Sequence, residues 1–328
     1  MFSKLSLKMQ AAAIAAGFAL ATAAAAQQKV DPSLPVYKAV SGVSGNLTSI
    51  GSDTLNNLMT YWAEGFRKFY PNVNIQIQGA GSGTAPPALV QGTAHFGPMS
   101  RPMRGTEIES FEKRYGYKPL PIRGAIDALG VFVHKDNPLT CLSLQEIDAI
   151  FSSTRAGGAK AAITTWGQAG LKGEWANRPI SKYGRNSASG TYGYFKDVAL
   201  FGGDYAPDVR EQPGSSTVIQ GVAADINGIG YSGVGYGTAD VKAIQIRGAG
   251  GKCYPPSAQA AASGNYPIAR FLYIYVNHNP NQKMEPLRAE FIRYVYSQQG
   301  QADVIRAGFF PLVKAIADQD LRTFGLLK

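Results

Sequence analysis

A guanidinium, two hydroxyls and a glycine meet in the stretch Tyr183-Gly184-Arg185-Asn186-Ser187-Ala188-Ser189-Gly190-Thr191, which runs into an aromatic-rich helical pattern over residues 192–200. The start of a helix leaves backbone N–H groups unpaired and carries positive partial charge, so a turn placed there suits an oxyanion. Arg185 adds a permanent planar cation able to hold two oxygens at once. Alone, this stretch could equally be an ordinary Ser/Gly cap on a surface helix. Further segments of the same kind upstream tip the balance. Gly51-Ser52-Asp53-Thr54 separates a short apolar strand from a helical pattern, and Gly79-Ala80-Gly81-Ser82-Gly83-Thr84 does so again. A strand expected at 94–97 then ends in Met99-Ser100-Arg101-Pro102-Met103, where Ser100 and Arg101 could face the same cleft. Together these turns, with Arg185 and Arg101, describe a site for a small tetrahedral oxyanion. Backbone nests and hydroxyls can replace its water hydrogen bonds one for one.

The elements that must hold these residues alternate between strand and helix. A strand at 47–50 leads into the first turn. After it Leu55, Leu58, Met59, Trp62, Phe66 and Phe69 recur at helical spacing, up to Pro71. Residues 73–78 alternate apolar and polar as a strand does, and a helix begins near Pro86. Ser143 and Glu146 sit at capping-box spacing before a helix reaching Phe151. Two strongly apolar runs, 125–134 and 271–276, read as strands crossing between two lobes. Residues 255–264 read as a loop, and helices near 285–297 and 301–307 close the chain. The fold class expected is α/β, with the Ser52, Ser82 and Ser100 turns on one lobe and the Arg185 turn on the other.

Composition narrows the function classes. Lys4 and Lys8 precede an apolar, Ala-rich run over 11–21 and a small-residue site at Ala24-Ala25-Ala26, the pattern of a cleavable export signal. Its removal takes the formal net charge from +10 to +8. The positive excess is dispersed, with no basic run and no nucleic-acid motif. Residues 79–84 approach a dinucleotide fingerprint, but no Asp or Glu lies between Glu64 and Glu107 to hold a ribose. His95, His134 and His278 fit no spaced metal motif, and no GxSxG elbow is present, so a phosphatase is a distant second reading. In an exported chain, Cys141 and Cys253 are candidates for one disulfide.

With these motifs in place the chain resembles the exported phosphate-binding proteins of phosphate-specific ABC transporters, a branch of the type II periplasmic binding proteins. The resemblance runs from Gly51 to Leu312, and its most specific piece is Arg185 followed by Ser189-Gly190-Thr191. It implies a two-lobed fold with a two-strand hinge: 1–26 signal, 27–44 a loosely held arm, 45–128 plus 270–328 the first lobe, and 129–269 the second. It further implies phosphate held by Ser52, Asp53, Thr54, Ser82, Ser100, Arg101, Arg185, Ser189, Gly190 and Thr191. No metal, cofactor or nucleic acid is expected, nor any catalysis. The expected partner is an ABC permease, and the expected form a periplasmic monomer, with a fraction released from the cell. Some members place an Asp where this chain has Ser100. Asp53 is then the expected acceptor for the proton that phosphate carries and sulfate lacks. A sulfate binder, or a surface protein on the same fold, are the alternatives.

Overall fold

The computed structural model describes residues 28–327, so the expected signal at 1–26 lies outside the described residues. Two five-stranded sheets carry the two lobes. In the first the spatial order is Val73–Gln78, Gly45–Ile50, Phe96–Met99, Ala269–Val276, Leu120–Ala128. In the second it is Val241–Ala243, Gly130–His134, Gly228–Ser232, Ser181–Arg185, Arg210–Gln212. The alternating strand Val73–Gln78 lies at a sheet edge with its polar positions more exposed, whereas Phe96–Met99 is central and buried throughout. That contrast follows from sequence pattern, since a period of two suits one covered face and an unbroken apolar run suits two.

Helix Asn56–Arg67 buries Leu58, Met59, Trp62 and Phe66, and the Trp62 indole donates to the Gly300 carbonyl at 2.8 Å, so its polar tip is satisfied inside the core. Ser143 caps helix Leu144–Phe151 by accepting from the Glu146 N–H, while Glu146 accepts from the Ser143 N–H at 2.7 Å, the expected capping box.

The lobes are joined where one sheet hands over to the other. The apolar run expected as a single crossing strand is two strands, Leu120–Ala128 and Gly130–His134. They part at Leu129, whose N–H leaves both ladders to donate to Ile268 O at 3.0 Å. Ala269–Val276 returns antiparallel to Leu120–Ala128, with Arg270 opposite Asp127. Beside them Ile126 and Phe310 exchange two backbone hydrogen bonds, at 3.0 and 2.9 Å.

Three further expectations are corrected. The arm at 27–44 is not loose. Leu34 and Tyr37 are buried in the first lobe's core, and the Tyr37 hydroxyl donates to Glu290 at 2.9 Å. The stretch 255–264 contains a short helix, Ala258–Ala262, capped by Ser257. Helix Lys314–Thr323 follows the two expected to close the chain.

Cys141 and Cys253 form the disulfide, fastening two strands of a small third sheet across 112 residues of sequence. Cross-linking so long a loop restricts the unfolded chain, worth about 2–4 kcal/mol. Reduction, or Cys141→Ser with Cys253→Ser, is expected to lower the melting temperature by roughly 5–10 °C as followed by circular dichroism. An unchanged melting curve would show that the bond contributes nothing.

Candidate functional site

Each expected turn sits at the end of a strand, and the two sheets point these ends at each other. Ser82, Ser100 and Thr191 are fully buried, and Ser52, Thr54 and Ser189 nearly so. Four hydroxyls form a chain across the lobes: Ser82 Oγ to Ser100 Oγ at 3.2 Å, Ser100 Oγ to Thr191 Oγ1 at 3.3 Å, and Thr191 Oγ1 to Thr54 Oγ1 at 2.9 Å. The backbone joins the lobes too, with Gly83 N–H donating to Ala188 O at 3.0 Å.

Several of these oxygens already accept from fixed donors. Ser82 Oγ accepts from Ser100 N–H at 3.0 Å. Ser189 Oγ caps helix Gly190–Val198, accepting from the N–H groups of Thr191 and Tyr192 at 3.1 and 3.3 Å. Thr191 Oγ1 accepts from Arg270 Nη2 at 2.9 Å. Ser189 therefore keeps its own proton to donate, and the three bonds of the hydroxyl chain leave one more of its four protons unspent, which is the polarity an oxyanion requires.

Arg185 is 1 % exposed. Its Nη1 donates to Ser215 Oγ at 2.8 Å and its Nη2 to Pro213 O at 3.0 Å, while Asp53 Oδ2 lies 3.3 Å from Nη2 across the lobe boundary. Its Nε–H is buried with no partner. Burial pulls the guanidinium below its ordinary pKa; Asp53 opposes that shift, and the second cation, Arg270, adds to it. Asp53 Oδ2 also accepts from Ser215 N–H at 2.7 Å, so one carboxylate oxygen ties the first lobe to a helix start and a guanidinium of the second.

Two expected residues are placed otherwise than the sequence suggested. Ser100 joins the hydroxyl chain, but the Arg101 guanidinium turns away, in a bidentate pair with Glu107 at 2.7 and 2.8 Å on helix Gly105–Tyr115. Ser52 is buried beside the cluster, yet its N–H donates to Pro98 O at 2.8 Å and is committed to the sheet.

Sequence reading missed Arg270 and Asp127. Arg270 donates to Asp127 Oδ2 from Nε and Nη2 at 3.2 and 2.9 Å, and to Ser100 O from Nη1 at 2.6 Å. Asp127 Oδ1 accepts from Val234 N–H at 3.0 Å. The signal available was a carboxylate inside the apolar run 125–134 and an arginine immediately before the run 271–276, where an unpaired charge would be costly.

A family model described as the PBP superfamily domain matches residues 36–299. The phosphate-binding protein PstS of Pseudomonas aeruginosa is 53 % identical over 95 % of this chain and 96 % of its own. This chain belongs to the PstS family within that superfamily. Protein SphX of Synechococcus elongatus is a more distant relative, 29 % identical over 81 % of this chain and 77 % of its own. The family fold recurs in a Clostridium perfringens protein solved with bound phosphate, with a TM-score of 0.69 and 22 % identity over 82 % of this chain and all of that one. An ABC-type phosphate transport receptor from Vibrio cholerae has a TM-score of 0.63 and 22 % identity over 81 % of this chain and all of that one. The two-lobed α/β architecture is therefore that of the type II family.

Contact between the lobes depends on Gly190. A Cβ there would stand 2.2 Å from Ser82 Oγ and 2.7 Å from Ser100 Oγ, on side chains with no room to retreat. Gly190→Ala is expected to hold the lobes apart, giving a larger radius of gyration in small-angle scattering than the parent, with the far-ultraviolet circular dichroism unchanged. Identical scattering profiles would show that this contact does not limit closure.

Proposed function

We propose that the protein captures inorganic phosphate between its lobes and carries it to an ABC importer. The observation that bears this reading is the Arg185 Nε–H, buried and unpartnered on a guanidinium that meets Asp53 of the other lobe at 3.3 Å. An unmet buried donor on a permanent cation costs more than an ordinary lost hydrogen bond, and an anion arriving there removes the cost. Thr54, Ser82, Ser100, Ser189 and Thr191 supply hydroxyls to that anion, and Gly190 together with the start of its helix supplies backbone N–H groups. Ser52 lines the first turn. Arg101 acts at one remove, since its pair with Glu107 fixes the chain just beyond Ser100.

Asp53 supplies the selectivity. Its Oδ2 is engaged by Ser215 and Arg185, and Oδ1 has no hydrogen-bond partner among the described residues. Phosphate near neutral pH still carries a proton to give to Oδ1. Sulfate carries none, which would leave two negative groups facing each other. The Pseudomonas aeruginosa relative is a phosphate-binding protein, which favours a carrier over an enzyme. In this reading the mature protein works as a monomer in the periplasm, a fraction of it released, after loss of residues 1–26, with lobes at 45–128 plus 270–328 and at 129–269.

Calorimetric titration of the phosphate-stripped protein tests the proposal. One-to-one phosphate binding with sulfate silent is expected; equal binding of both would remove the phosphate assignment, and no heat from either would remove the oxyanion site. Arg185→Lys is expected to weaken phosphate binding roughly a hundredfold, the scale of truncating one member of a buried charged contact. Asp53→Asn should shrink the phosphate-over-sulfate preference by about tenfold, and an unchanged preference would take the proton-acceptor role away from Asp53.

A further inference from the structure

One segment of the second lobe has no part in the ligand set, yet four of its six residues meet the first lobe. This is the glycine-rich turn Ser232-Gly233-Val234-Gly235-Tyr236-Gly237. Ser232 Oγ donates to Ser215 O at 3.1 Å, steadying the helix start that meets Asp53. Val234 N–H donates to Asp127 in the hinge. Gly235 lies backbone against backbone on the first lobe, where a Cβ would come within 2.3 Å of Ala307 O. Only glycine permits that approach, which sets the following Tyr236 over the first ligand turn.

The Tyr236 hydroxyl donates to Asp53 O at 3.0 Å and to Thr54 O at 3.1 Å, one proton shared by two carbonyls. Its ring packs against the first lobe's core and also against the second lobe's cluster of Phe132, Val218, Val222 and Val241. Both ends of the side chain therefore span the cleft. Burial pushes its phenol well above the ordinary range, so the group remains a proton donor at working pH.

We propose that Tyr236 is a positioning residue for the Asp53–Thr54 turn, holding the Asp53 carboxylate in its proton-accepting place only when the lobes meet. Selectivity and closure are then one event. A weak or wrongly protonated anion that fails to draw the lobes together never meets a correctly held Asp53. The inference rests on the phosphate reading given above.

Tyr236→Phe removes the hydroxyl and keeps the ring. The measurement is phosphate and sulfate titration of parent and variant at one pH, with melting curves of both proteins free of ligand. Phosphate affinity is expected to fall about three- to tenfold, the scale of one neutral hydrogen bond. The phosphate-over-sulfate ratio is expected to fall by at least about threefold on the same scale, while the ligand-free melting temperature stays within the error of the parent. A residue that merely stabilised the closed form would weaken both anions alike, so an unchanged ratio overturns the proposal. A drop in ligand-free stability with the ratio preserved overturns it as well. If the parent binds no phosphate, the ligand assignment fails first, and that result is distinguishable from a parent that binds and a variant that behaves identically.

Discussion

The structure turns on a buried cation. A guanidinium withdrawn from water costs several kcal/mol unless its surroundings replace the lost solvation, and Arg185 is compensated only in part by its own lobe. Ser215 Oγ and Pro213 O take two of its donors. The neutralising charge, Asp53, belongs to the other lobe. Separating the lobes would remove that carboxylate but admit water, so the cation is solvated in either state by different means. With the lobes together its Nε–H is buried and has no protein partner. An oxyanion bound there lowers the free energy of the closed arrangement specifically, and differential interaction of this kind is what lets a ligand shift a two-state equilibrium.

A second buried pair, Arg270 with Asp127, has a different role. Its members face each other in register on the two hinge strands, and its remaining hydrogen bonds reach Ser100 of one lobe and Thr191 and Val234 of the other. Buried pairs add little stability on balance, and replacing them with apolar residues is often neutral. What this pair supplies is orientation. It fixes a carbonyl and a hydroxyl next to the site from the one part of the molecule common to both lobes. The hinge is thereby connected to the ligand residues by side-chain hydrogen bonds as well as by backbone.

How much of this was legible in the sequence depends on whether the signal was local. The Ser82 and Arg185 turns could be read because glycines and hydroxyls fall between a strand pattern and a helix pattern, and the structure puts them at those junctions. Ser100 and Arg101 lie in a bend just past the strand, and Ser100 joins the hydroxyl chain while the Arg101 guanidinium is held by Glu107. Arg270 and Asp127 were visible as misplaced charges, but their pairing across 143 residues is a matter of register that no single-chain pattern reveals. Leu129 was hidden for the opposite reason. An apolar run looks the same whether it continues through one sheet or changes to another, and only a single N–H bonded to Ile268 marks the change. The arm differs from the expectation of a loose segment because a polar, proline-containing stretch can still be held by one aromatic side chain, Tyr37, with a buried partner.

The hydroxyl network joins these observations. Hydroxyls are ambivalent, able to donate or accept, and a cluster left to itself would settle into several proton arrangements of similar energy. Here the ambiguity is removed from outside the cluster. Arg270 occupies Thr191, the Ser100 amide occupies Ser82, and two helix-start amides occupy Ser189. With those oxygens engaged, the Ser189 proton and the one that the chain does not spend internally remain as donors, and the Arg185 Nε–H adds a third to the wall. Such a wall favours any small oxyanion and cannot by itself tell one from another. Discrimination needs an acceptor among the donors, and the proposal gives that part to Asp53 Oδ1, which bonds to none of the described residues. In the proposed function the donors account for affinity and a single acceptor for choice, which is why a turn holding that acceptor in place has leverage out of proportion to its one shared hydrogen bond.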